Sequence, residues 1–121
     1  MGISMLEGIK VLKTKSRFYK GKTIAILGRI IGLDKNEKEA ERQHELIAEE
    51  LINSNIDLVY GHGKEMKYTM KKLPKHMIGG YYERAELLAY EVANIIEDDD
   101  LILIKGSVRN SNFKNVKNIS F

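Results

Sequence analysis

Three short stretches of this 121-residue chain combine glycine with residues able to hold an anion. The richest is Lys105-Gly106-Ser107-Val108-Arg109-Asn110. Its glycine lets backbone approach a ligand, Ser107 offers a hydroxyl, and Lys105 and Arg109 supply positive charge. Gly61-His62-Gly63 lies just ahead of a helical pattern, where backbone N–H groups gather at the positive end of a helix. The third is Gly28-Arg29, which closes an apolar run. Gly28, Arg29, Gly61, His62, Lys105, Ser107 and Arg109 are therefore the candidate ligand-binding residues. The plainer role for each glycine is a tight turn after a buried strand. Neither G-x-G-x-x-G nor G-x-x-x-x-G-K-[ST] occurs, so the sequence holds no recognisable site for a nucleotide's γ-phosphate.

Other reactive side chains read as structural. His44 falls on the apolar stripe of a helix, where a lone histidine usually serves the core or a cap. His62 and His76 lack a carboxylate at ligand spacing, which argues against zinc. Asp98-Asp99-Asp100 has Mg²⁺-compatible chemistry, yet it falls on the helix-to-strand side of the fold and reads as a solvated turn. No serine sits in G-x-S-x-G, and Tyr60, Tyr81, Tyr82 and Tyr90 read as core and rim. No catalytic residue and no metal ligand is assigned.

The elements that would position these stretches alternate regularly. Helical spacing covers 3–13, with Ile3, Leu6, Ile9 and Leu12, and Phe18, Tyr19 and Gly21 mark a connection. Thr23-Ile24-Ala25-Ile26-Leu27 is a buried strand. Asp34 and Glu37 fit a capping box that opens a helix with the stripe Ala40, His44, Ile47, Ala48 and Leu51. Asn53-Ser54-Asn55 stops it, and a second strand covers 56–60. A helix over 64–73 ends at Pro74. A strand over 77–82, a helix over 83–96 and a strand over 101–104 follow, and Asn110-Ser111-Asn112 would cap a last short helix. Strands separated by helices predict one α/β domain over residues 1–121. Its architecture is a three-layer Rossmann-like sandwich with a mainly parallel sheet of about four to six strands. Ligands in such sheets bind beyond the carboxyl ends of the strands.

Composition narrows the class. There is no cysteine, hence no disulfide framework and no thiolate chemistry. No apolar run approaches the ~20 residues of a membrane span, and the N-terminus lacks signal-peptide architecture; a cytoplasmic protein is expected. The net charge of +3 is unevenly spread. Lys10, Lys13, Lys15, Arg17, Lys20 and Lys22 form one basic stretch, with no acidic residue between Glu7 and Asp34, and Lys64, Lys67, Lys71, Lys72 and Lys75 form another. Both read first as solvated surface. RNA binding is the weakest reading, because the stretches lack the aromatic interleaving that base stacking needs, and a nucleic-acid partner is not expected.

Four segments in order carry a family resemblance. Thr23-Ile24-Ala25-Ile26-Leu27-Gly28, the acidic helix with His44, Ile56-Asp57-Leu58-Val59-Tyr60-Gly61 and Leu101-Ile102-Leu103-Ile104-Lys105-Gly106-Ser107 together resemble the C-terminal domain of Mur ligases. Within that family the likeness is to the UDP-N-acetylmuramoyl-tripeptide:D-alanyl-D-alanine ligase. Ile3-Ser4-Met5-Leu6-Glu7-Gly8 is similar to the helix following the family's N-P-x-S-M segment, so the likeness spans the chain. Several features depart from it. The N-P segment is missing, Arg29 replaces the usual acidic residue, and Val108 and Asn110 alter the K-G-S-R-G spacing.

The resemblance implies a module related to ATP-dependent amide ligation in peptidoglycan precursor synthesis. The family's phosphate-binding loop and metal-holding residues belong to a central domain with no counterpart here. A freestanding domain that is inactive alone is thus expected, using ATP and Mg²⁺ only when a partner ATP-binding chain completes it. The alternative is a binding module for a nucleotide, a UDP-linked cell-wall precursor, D-alanyl-D-alanine or a protein. Self-association is a further expectation if the face meant for neighbouring domains is apolar.

Overall fold

The computed structural model of the chain describes residues 2–30, 36–106 and 119–120. In chain order these form α1 (Gly2–Ser16), β1 (Thr23–Gly28), α2 (Glu37–Asn53), β2 (Leu58–His62) and α3 (Met66–Lys72). A 3₁₀ turn (Lys75–Met77), β3 (Ile78–Tyr82), α4 (Ala85–Ile95), β4 (Leu101–Lys105) and β5 (Ile119–Ser120) follow. The five strands lie in the order β3-β2-β1-β4-β5, and every pair is parallel. This is the α/β sandwich expected from the alternating pattern.

Side chains alternate between the two faces of a strand, and here each face buries its own cluster. Ala25, Leu27, Leu101 and Leu103 pack with Met5, Ile9 and Leu12 of α1, Ile47 and Leu51 of α2, and Met66 and Met70 of α3. Ile24, Ile26, Ile102 and Ile104 face the other way, toward Leu88 and Val92 of α4. A strand buried on both faces must be apolar at every position, which accounts for the unbroken runs of β1 and β4.

Local chemistry sets the element ends. The α2 stripe is buried as its spacing predicts: Ala40, His44, Ile47, Ala48 and Leu51. Its cap, however, is Asn36, whose side chain accepts the Glu39 N–H at 3.0 Å. The cap thus lies two residues later than the Asp34–Glu37 expectation, with the Glu39 carboxylate accepting from Arg42 and Gln43, and Asp34 itself lies outside the described residues. Asn55, at φ 52°, turns the chain out of α2. β2 also starts later than expected, at Leu58. The Ile56 N–H donates to the Leu51 carbonyl, so Ile56 closes α2, while the Asp57 N–H donates to the Thr23 carbonyl at the start of β1, just ahead of the paired residues of β2. The expected last helix over 110–116 is outside the described residues. Among the described residues, no helix is long and apolar enough to cross a membrane.

Candidate functional site

β1, β2 and β4 are neighbours that run the same way, so their carboxyl ends meet at one edge. Gly28 aligns with His62, and Leu27 with Lys105. Gly28, Arg29, Gly61, His62 and Lys105 therefore share a rim, while Ser107 and Arg109 lie outside the described residues. Gly106 tightens this rim. It has φ +83°, and a Cβ there would collide with the Gly28 carbonyl, so backbone leaving β4 lies directly against backbone leaving β1. Gly61 plays a different part, because a Cβ on it would meet Met70 Sδ at 3.0 Å. On that geometry its missing side chain seats α3 against the sheet.

A histidine beneath the rim fixes the loop that carries Arg29. His44 is fully buried. Its Nε2 accepts the Ile30 N–H at 3.1 Å, which leaves Nδ1 to donate to the Ala40 carbonyl at 2.6 Å. Burial pushes the imidazole below its ordinary pKa; the Ala40 hydrogen bond and Glu65 oppose that, and Arg29 adds to it. A neutral, doubly bonded imidazole is thus a positioning residue, and the core reading of His44 holds.

Two polar atoms near this rim stand out. His62 Nδ1 and Glu65 Oε1 are buried without a hydrogen-bond partner, a costly state that usually ends in contact with water or a ligand. The Arg29 side chain runs past Gly63, its Cβ and Cγ 3.5 Å from where a Cβ on that glycine would sit. The rim thus offers two cations, Arg29 and Lys105, one carboxylate and one imidazole. It can hold an anion and orient a donor, and it has no nucleophile–base pair among the described residues. Among the described residues, no group of three or more His, Cys, Asp or Glu is placed to hold a metal.

The opposite edge overturns one expectation. An open depression there is lined by Lys20, Gly21, Lys22, Asp57 and the turn Glu97–Asp100. Asp100 was expected in a solvated turn, yet it is only 1% exposed. It accepts the Lys22 N–H at 2.7 Å and the Glu97 N–H at 2.9 Å, and pairs with Lys22 Nζ at 3.1 Å. Asp57 repeats the device before β2, accepting the Thr23 N–H at 2.8 Å and its hydroxyl at 3.0 Å. Both carboxylates stand one residue ahead of a strand beside β1 and tie its start to a neighbour. The sequence signal was an acid directly before each apolar run. These carboxylates are already spent on structural bonds.

No family model matches the sequence, and no curated protein matches it. Among solved structures, the fold is similar to the crystal structure of MurF ligase from Thermotoga maritima in complex with ADP. The TM-score is 0.63 at 22% identity, covering 86% of this chain and 23% of that one. The fold is Mur ligase-like. This chain spans under a quarter of the ligase's length.

Proposed function

We propose that the chain is a module of the Mur ligase C-terminal type, serving ATP-dependent amide ligation on a peptidoglycan precursor without being catalytic by itself. The observation that carries this reading is the fold likeness over 86% of the chain, together with a rim bearing Arg29 and Lys105 at the strands' carboxyl ends. An ATP-binding domain from outside these 121 residues would supply the phosphate loop and Mg²⁺. The module would close over the site and position the nucleotide or incoming amine. Thermal shift with ATP, a UDP-muramoyl peptide and D-alanyl-D-alanine tests the idea. Stabilisation by ATP should require a second protein bearing a phosphate-binding loop, and Lys105→Ala should abolish it. ATP hydrolysis by the chain unaided would overturn the reading.

A second reading, direct ligand binding by the chain alone, is favoured by the unpartnered His62 Nδ1 and Glu65 Oε1. It predicts a shift with one of the same ligands in the absence of any partner, lost in His62→Ala.

A further inference from the structure

We propose that the turn closing α1 is a platform for single-stranded nucleic acid, with Phe18 stacking on a base and the flanking cations meeting phosphates. The surface lies where the chain enters β1, at the sheet edge opposite the rim, and stands apart from the ligase reading. Phe18 is 74% exposed and Tyr19 39% exposed. Two aromatic rings thus reach solvent inside the basic stretch, which corrects the expectation that aromatic interleaving is lacking there. The Arg17 guanidinium carbon stands 5.1 Å from the Phe18 ring centroid, a cation–π arrangement that a base can extend.

The platform is held in shape. The Phe18 N–H donates to the Lys15 carbonyl and the Tyr19 N–H to the Ser16 carbonyl, both at 3.0 Å. Farther on, the Gly21 N–H donates to the Asp99 carbonyl at 3.0 Å. With both ends of the turn pinned, little ordering is left to oppose binding. Lys13, Lys15 and Lys20 are exposed around it. Lys22 is not counted, since Asp100 and Glu97 hold it. The acidic turn at 97–99 borders the surface on one side and confines a polyanion to the α1 side.

The second basic cluster lacks this combination. Near α3 the rings are half-buried, unlike Phe18: Tyr81 lies under Lys67 at 5.5 Å, and the Tyr68 hydroxyl donates to Glu37 at 3.0 Å. A lipid surface fits the α1 turn less well, because α1 shows Val11 as its only exposed large apolar side chain among the described residues, where interfacial helices need a broad apolar face.

The test is fluorescence anisotropy of the 121-residue chain with a labelled mixed-sequence single-stranded RNA about twelve nucleotides long, roughly one strand-binding site. Expected is binding that weakens with salt, with a log–log slope of about −2 to −3 for three to four phosphates. Phe18→Ala should weaken it about tenfold while Phe18→Tyr keeps it, since stacking needs the ring. Lys13→Glu with Lys15→Glu should flatten the slope. Thermal unfolding scans of each variant separate lost binding from lost fold. The proposal fails if the RNA does not bind at low salt, or if Phe18→Ala leaves affinity unchanged. It also fails if only reversal of Lys67 and Lys71 removes binding, or if phosphatidylserine vesicles bind and RNA does not.

Discussion

Two buried polar residues, His44 and Asp100, hold the two edges of the sheet, and each makes stability depend on pH in its own window. Burial alone would raise the Asp100 pKa. The amides of Glu97 and Lys22 and the Lys22 ammonium outweigh that and keep the carboxyl below its usual range. A depressed carboxylate stabilises the fold above the unfolded value, about 3.9, and the contribution fades as pH falls through the folded value. Its partner Lys22 is shifted upward, chiefly by its hydrogen bond to Asp100, so its share is present below the unfolded lysine value and lost in alkali. Asp100→Ala leaves two backbone donors without an acceptor and should cost about 3 kcal/mol in urea unfolding. His44 is depressed too, chiefly by burial. The unfolded chain binds a proton near pH 6.5 before the folded one does, so stability falls as pH drops below about 6.5. His44→Gln can accept from Ile30 and donate to Ala40 without titrating. Compared with the parent chain between pH 7.5 and 5.5, it should lose less stability on acidification; an equal loss would sink the assignment.

Caps and strand exits set the precision of the elements. Asn36→Ala removes the acceptor for the Glu39 N–H and should cost about 1 kcal/mol. Gly106→Ala forces a side chain into a left-handed conformation and against the Gly28 carbonyl. It should destabilise by more than about 1 kcal/mol and broaden the amide NMR signals of Gly28 and Lys105. Much of this level was legible beforehand. The α2 stripe follows from helical spacing, and the unbroken apolar runs of β1 and β4 mark strands covered on both faces. What misled is equally physical. Asp34–Glu37 and Asn36–Glu39 both satisfy the capping spacing, and only the packed helix selects between them. Ile56 is apolar and 1% exposed without belonging to a strand, so burial alone could not locate where β2 begins. The turn Glu97–Asp100 reads as charge in water until Lys22, 78 residues upstream of Asp100, folds against it. The carboxyl-end rim followed from topology. Phe18 and Tyr19 as exposed rings did not, because placing them in a connection says nothing of which way their rings face.

At the scale of the molecule, the described residues cover the two faces of the sheet unequally. α1, α2 and α3 share one apolar cluster, whereas α4 contributes Leu88 and Val92 to the other. β1 is the centre, flanked by β2 and β4, and Ile24, Ala25, Ile26 and Leu27 are all fully buried. A fragment ending before Leu101 lacks one wall of that slot. It should show neither a cooperative thermal transition nor protected β1 amides in hydrogen exchange, although its helical segments are intact in sequence.

The central position of β1 also bears on synthesis. β1 is made early, but the strand on its far side is translated only after five more elements and the 3₁₀ turn have been threaded past it. A nascent polypeptide therefore leaves the ribosome with a strand that is fully buried in the finished fold still half-sheltered for most of elongation, the condition under which long-range parallel pairing is slowest and most prone to aggregation. Pausing before residue 101 would extend that exposure, and a holdase chaperone would find its binding site at Thr23–Gly28.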